Sequence, residues 1–213
     1  MSDTCLATSI EDLASFIPTG GRFLVGIGGP PGAGKTTLAR KLADILPNAI
    51  AVSADGWHLS NAQLREQGKI QRKGAPDTFD VDNLVWALYR AQSQQEACLY
   101  FPSFEHGFGE PIASSVRLDP SANTVIFEGN YMLLRDEPWS TVRSMLDLKI
   151  YYESPWEVCR ERLLARQIGN GKNQEEALHW VDTVDASNFQ LIDRRSRSRS
   201  IIRYQPQLQV AVG

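Results

Sequence analysis

Apolar and polar positions along the chain switch repeatedly between a strand-like and a helical period. Residues 9–17 read as a short helix. "RFLVGIGG" is an apolar run ending in glycine, the pattern of a strand buried on both faces. "GKTTLARKLADIL" then sets Leu38, Leu42, Ile45 and Leu46 at helical spacing, with Pro47 as the stop. "NAIAVSAD" is a second strand, and residues 56–78 show no clear period, a loop with room for one helix. "DVDNLVWALYRA" places Val81, Leu84, Val85 and Leu88 on one helical face. "ACLYFPSF" and "SSVRL" are weak strand signals, and "NTVIFEGN" is a strong one. Residues 138–146 read as helix and "LDLKIYYES" as strand. "SPWEVCRERLLARQI" opens with Ser154 as cap, Pro155 at the first helical position and Glu157 completing a capping box. "GNGK" breaks that helix, and "NQEEALHWVDTVDASNFQLI" starts another, with Asn173 and Glu176 in cap positions. "SIIRYQP" and "LQVAV" close as strands. Strands alternating with helices predict an α/β fold of three layers, a parallel sheet with helices on both faces.

Composition changes this picture little. A chain of 213 residues with net charge −3 is one domain of ordinary globular make-up. The small negative charge gives no reason to expect nucleic acid as a partner, and "RRSRSRS" reads as a short solvated patch. No run reaches the ~20 apolar residues of a membrane span, and residues 1–16 lack a signal-peptide core. Cys5, Cys98 and Cys159 are odd in number and without CxxC spacing, which suits buried free thiols in a reducing, cytoplasmic setting. Trp86, Trp139, Trp156 and Trp180 fall in the expected helices and read as packing residues.

The sharpest chemical signal is "GGPPGAGKTT". Gly29, four residues, then Gly34, Lys35 and Thr36 fit the phosphate-binding loop pattern, with a strand before and a helix after. Pro30 and Pro31 have no N–H, so phosphate donors come from Gly32 onward. The glycines let successive N–H groups turn toward one anion, and the helix adds its positive end. Gly29, Gly32, Ala33, Gly34, Lys35, Thr36 and Thr37 are therefore read as nucleotide-binding, with Lys35 on the β- and γ-phosphates and Thr36 on magnesium. A guanine-reading Asn-Lys-x-Asp is missing from the sequence, which argues against a GTPase switch. The length argues against a motor.

Two carboxylates follow strands that must end beside this loop, since ligands of open parallel sheets sit beyond the carboxyl ends. Asp55 ends "NAIAVSAD" and Glu128 ends "TVIFE". Either suits a catalytic base, and Glu128 also a magnesium site. Arg162 and Arg166 lie four apart on one helical face next to "GNGK", the spacing of a small helical lid over about residues 160–175 whose charges close on the transferring phosphoryl group.

In this order, "GGPPGAGKTT", "DGWHLSN", "RKGAPDTFD", "FEGNYML" and "RERLLAR" resemble the uridine kinase, pantothenate kinase and phosphoribulokinase superfamily, over roughly residues 20–203. The likeness is greatest to a bacterial nucleoside/nucleotide kinase-like subgroup labelled fructose transport system kinase. The resemblance implies a five-stranded parallel core, magnesium-ATP as donor and a small-molecule alcohol as acceptor. It puts the family's base or acceptor-orienting aspartate on Asp55, with Trp57 in place of the usual Phe or Tyr. It places His58, Arg72, Lys73, Asp80, Glu105, His106 and Tyr131 on the acceptor side, although a lone histidine by itself calls for no role. It sets Asn188 near the nucleotide base and leaves room for a homodimer. The sugar, nucleoside or pantothenate-like acceptor stays open. The rival reading is a nucleotide-binding regulatory or transport-accessory protein without turnover.

Overall fold

A computed structural model describes residues 5–94, 97–105, 107–198 and 200–206. The chain begins with a two-residue strand, β1 (Leu6–Ala7), and helix α1 (Ile10–Ser15), which Ser9 and Asp12 close with a capping box. Strand β2 (Phe23–Gly28) runs through a glycine-rich loop into α2 (Lys35–Ile45). Next come β3 (Ala49–Ser53), a single 3-10 turn at Ala54–Trp57, α3 (Asn61–Glu66) and α4 (Val81–Gln92). A hairpin of β4 (Leu99–Glu105) and β5 (Glu110–Leu118) precedes β6 (Thr124–Glu128), α5 (Trp139–Ser144) and β7 (Leu148–Tyr152). The chain closes with α6 (Trp156–Gly169), α7 (Gln174–Trp180), α8 (Ala186–Ser196) and β8 (Ile202–Tyr204).

Six strands form one sheet in the order β1-β8-β7-β2-β6-β3, and every pairing is parallel. The uninterrupted apolar strands feed two cores because successive side chains point to opposite faces. On one face Leu24, Val52, Val125 and Phe127 pack with Leu84 and Leu88 of α4 and Trp139 of α5. On the other, Val25, Ile27 and Ile126 meet Leu13 of α1 and Leu38 and Leu42 of α2. A small third cluster, Ala33, Cys159, Leu163 and Val181, ties the glycine loop to α6. Among the described residues no helix is long and apolar enough to cross a membrane.

Several expectations need correction. The sheet has six strands rather than five, because β1 is too short to show a period. The weak strands pair only with each other, antiparallel, outside the sheet. Helix α6 begins at Trp156 with Pro155 as its cap and no capping box; Ser154 instead hydrogen-bonds the Cys159 side chain. The Asn173–Glu176 box does form, at 2.9 and 3.2 Å. Only Cys159 is a buried thiol, Cys5 being exposed and Cys98 half-buried. Trp139 is core, but Trp86 is 62 % exposed and meets Tyr89 edge to face. In the basic segment, Arg195 pairs with Asp136, and Arg197 with Asp193 and Glu153. The strand expected at "LQVAV" lies outside the described residues.

Gly56 is required by close packing. A Cβ there would stand 2.5 Å from the Pro102 carbonyl oxygen, so the glycine lets β4 close over the Ala54–Trp57 turn. Gly56→Ala is expected to cost about 1–3 kcal/mol, the usual range for overpacking. Gly169→Ala, with nothing within 4 Å of its Cβ, serves as the control. Denaturant unfolding of the two variants beside the wild type checks this, and equal midpoints would refute it.

Candidate active site

The parallel register sets three strand ends level. Ile27 of β2 and Ser53 of β3 both stand opposite Glu128 of β6. The loop after β2, the turn after β3 and the residues after β6 therefore open on one cleft of about 640 Å³. Its far wall comes from α6, α7 and the start of α8.

The glycine loop takes the shape its sequence calls for. Gly29, Gly32 and Gly34 have φ of 150°, 76° and 108°. The last two lie well inside the left-handed region, where residues with a Cβ are strained. At Gly32 a Cβ would also meet the Cys159 carbonyl oxygen at 2.8 Å. Gly34 caps α2, and Lys35 is its first residue. Lys35 is buried, and its Nζ donates to the Pro30 carbonyl and to Asn130 Oδ1, both at 2.8 Å. Burial lowers its pKa, opposed by the charges of Glu128 and Asp55. Thr36 Oγ1 donates to Glu128 Oε1 at 3.0 Å, which joins the two groups expected at magnesium. Burial and the neighbouring Asp55 raise the pKa of Glu128, while Lys35 and hydrogen bonds from Ser53 and Thr36 lower it.

Asp55 sits in the 3-10 turn, half-buried and lining the cleft. Its carbonyl accepts from the His58 N–H at 3.1 Å and faces His58 Nδ1 at 2.9 Å, which locks the turn. His58 also lines the cleft and stacks on Phe79 and Phe104, with ring centroids 3.9 and 4.8 Å away. Lys73 lines the same side, with Nζ held by Asn61 Oδ1 at 2.6 Å and by the Gly109 carbonyl. On the far wall, Arg162 Nη1 donates to the carbonyls of Gly32 at 3.2 Å and Ala33 at 3.0 Å. Arg166 faces the cleft close enough to influence Lys35 and Asp185. Asn188 lines the cleft with Nδ2 on the Gly74 carbonyl, 3.4 Å away, and so stands beside the loop that carries Lys73.

Four of the residues expected on the acceptor side do not line this cleft. Arg72 is exposed and pairs with Asp77. Asp80 caps α4 by accepting from the Asn83 N–H at 3.2 Å. Glu105 is exposed and accepts from the Gly107 N–H at 3.1 Å. Tyr131 is fully buried and donates its hydroxyl to the Gly74 carbonyl, behind the cleft wall. His106 lies outside the described residues.

Sequence reasoning passed over Asn130, Trp180 and Asp185, all of which line the cleft. Asn130 lies two residues past Glu128, within "FEGNYML". Trp180 read as a packing residue, and Asp185 carries no sequence signal, since only the winding of its helix aims it inward.

The model of the phosphoribulokinase / uridine kinase family matches residues 24–202. The chain belongs to this family. "Putative uridine kinase C227.14" of Schizosaccharomyces pombe is 32% identical over 200 residues, covering 88% of this chain and 85% of that protein. A pantothenate kinase of Coxiella burnetii is 30% identical over 113 residues, 50% of this chain and 35% of that one. Among solved structures, the "putative fructose transport system kinase from Silicibacter sp. TM1040" superposes with a TM-score of 0.85 at 29% identity, covering 94% of this chain and all of that one. The protein is accordingly an ATP-dependent small-molecule kinase.

Proposed function

We propose that the protein transfers the γ-phosphoryl group of magnesium-ATP to a hydroxyl of a small metabolite: a sugar such as fructose, a nucleoside or a pantothenate-like alcohol. The observation that carries this reading is the meeting of Asp55 with Lys35, Thr36 and Glu128 at one level of the sheet edge. The residues fit the donor. Loop N–H groups and Lys35 suit the phosphates, and Thr36 with Glu128 suits a magnesium ion. Such an ion takes one or two protein groups and completes its shell with phosphate and water. When bound, magnesium-ATP supplies the electrophilic phosphorus and neutralises charge on the phosphate oxygens.

The chain's own groups do the rest. Asp55 accepts the proton of the acceptor hydroxyl as its oxygen bonds to the γ-phosphorus and the bond to the bridging oxygen of ADP breaks. Lys35 exchanges its two internal hydrogen bonds for phosphate oxygens. Arg166 and Arg162 provide positive charge where negative charge builds up, and the turn after α6 gives them a small lid. The test is ADP release by the purified protein with fructose, uridine, cytidine, pantothenate and related alcohols. An acceptor that raises ATP turnover supports the reading. ATP binding without stimulation by any acceptor favours a regulatory protein.

Arg166→Ala is expected to lower kcat at least tenfold while ATP affinity changes little, since a lid charge acts mainly on the transition state. Steady-state kinetics beside nucleotide titration separate the two effects. Loss of ATP affinity with kcat intact would place Arg166 on the ground-state nucleotide.

A further inference from the structure

One carboxyl group in the cleft has no task in the scheme above. Asp185 is 6 % exposed, and its Oδ2 is fully buried with no hydrogen-bond partner. Arg166 and Lys172 are the cations whose charge reaches it, yet neither closes a hydrogen bond on that oxygen. A buried polar atom left without a partner is costly, and in a cleft a bound ligand is one way to complete it.

The backbone around it is shaped for the purpose. From Gln174 to Ser196 the chain is one continuous helix, but Val181–Asp185 is wound as a π turn. Such a turn inserts a residue, weakens the local ladder and marks functional positions in helices. Here Thr183 Oγ1 donates to the His179 carbonyl and Ser187 Oγ to the Thr183 carbonyl, both at 2.6 Å, which gives loosened carbonyls new partners. The turn also sets Asp185 on the acceptor side of the cleft. Asn188, one helical turn on, and Tyr131 both donate to the Gly74 carbonyl. Burial, followed by the charges of Asp55, Asp185 and Asp77, drives the Tyr131 pKa well above its ordinary value, so Asp55 and Asp185 both lie near one phenol.

We propose that Asp185 is a specificity-determining residue of the kinase, whose carboxyl accepts a hydrogen bond from a second hydroxyl group of a neutral polyhydroxy acceptor. The proposal rests on the phosphoryl-transfer reading above and narrows its substrate class. The charges on this side argue for a neutral compound. Lys73 is already held by Asn61 and the Gly109 carbonyl, faces the charge of Glu110 and lies over the Phe104 ring. An alcohol carrying its own carboxylate would add a third negative charge beside Asp55 and Asp185, where Lys73 is spent and Arg166 and Lys172 already offset Asp185. A polyol offers one hydroxyl to Asp55 for reaction and a second to Asp185 for register. Burial holds the Asp185 carboxyl up at about 6, against the pull of Arg166 and Lys172, so above neutral pH it is a charged group in want of a donor.

The test uses the full chain at pH 8 with six probes: D-fructose, D-ribose, uridine and glycerol as neutral polyols, pantothenate and D-glycerate as anionic alcohols. The wild type is expected to be stimulated by neutral probes and not by anionic ones. With the best probe, Asp185→Ala should raise the acceptor KM at least about tenfold, the worth of a hydrogen bond to a charged group. The KM for ATP should stay within about twofold. Asp185→Asn keeps an acceptor oxygen and should recover part of the loss. Because Asp185 Oδ2 is buried without a hydrogen-bond partner, neither variant should melt below the wild type. An anionic alcohol as best substrate, an unmoved acceptor KM, or a lower Tm in both variants would overturn the proposal. Silence of the wild type toward all six probes would instead sink the kinase reading on these acceptors, and this role of Asp185 with it.

Discussion

Asp55→Asn is expected to lower kcat by ~10²- to 10⁴-fold, the range for loss of a general base, with ATP affinity nearly unchanged. Asparagine keeps the size and a hydrogen-bonding oxygen, but it cannot take the proton from the acceptor hydroxyl. The geometry favours Asp55 over Glu128 for this role. Asp55 is half-buried and opens on the cleft. Glu128 is 4 % exposed and engaged with Thr36 and Ser53, a place suited to a magnesium shell. Asp80 is taken up in capping α4. Steady-state kinetics beside nucleotide titration on one preparation decide the matter. Should Asp55→Asn keep most of its kcat while Glu128→Gln loses it, Glu128 is the base and Asp55 only orients the acceptor.

Lys35→Ala is expected to lower phosphoryl transfer by at least ~10²-fold, as removal of a preorganised charge at the reacting group does. The structure buries Lys35 between the Pro30 carbonyl and Asn130. Its ammonium is therefore in place before phosphate arrives and need not be drawn in from solvent. The same burial makes it the counter-charge of Glu128 and Asp55, so the variant leaves those carboxylates without their cation. Activity should fall while far-UV circular dichroism keeps the wild-type shape, because neither main core includes Lys35. Turnover equal to wild type would remove the glycine loop from the mechanism.

Much of the architecture was legible in the residues themselves. Continuous apolar strands such as β2 and β6 predicted a doubly covered parallel sheet, since only burial on both faces allows them. The glycine loop was legible for a related reason. Phosphate binding by backbone N–H groups needs positive-φ positions and a following helix, and both leave local marks in sequence. Asp55 and Glu128 could be placed at one edge by topology alone, because parallel strands bring their carboxyl ends together.

What the sequence could not decide was whatever depends on contacts between distant segments. The edge strand β1 is defined by its pairing with β8, and two residues carry no period. "ACLYFPSF" and "SSVRL" had strand character, but their antiparallel partnership outside the sheet is a tertiary choice. Arg72, Asp80, Glu105 and Tyr131 matched acceptor-side motifs, yet local partners turn them to ion pairing, capping or burial. Asp185 is the clearest case. A single acidic residue in a helical stretch has no signature, and its direction is set by one π turn within a helix that otherwise keeps the usual period. Local sequence thus marked the central strands, the phosphate loop and the sheet edge, where short-range backbone geometry governs. The acceptor side of the cleft was decided by the tertiary structure, because it is assembled from long-range packing between segments whose own periods say nothing about which way a side chain will face.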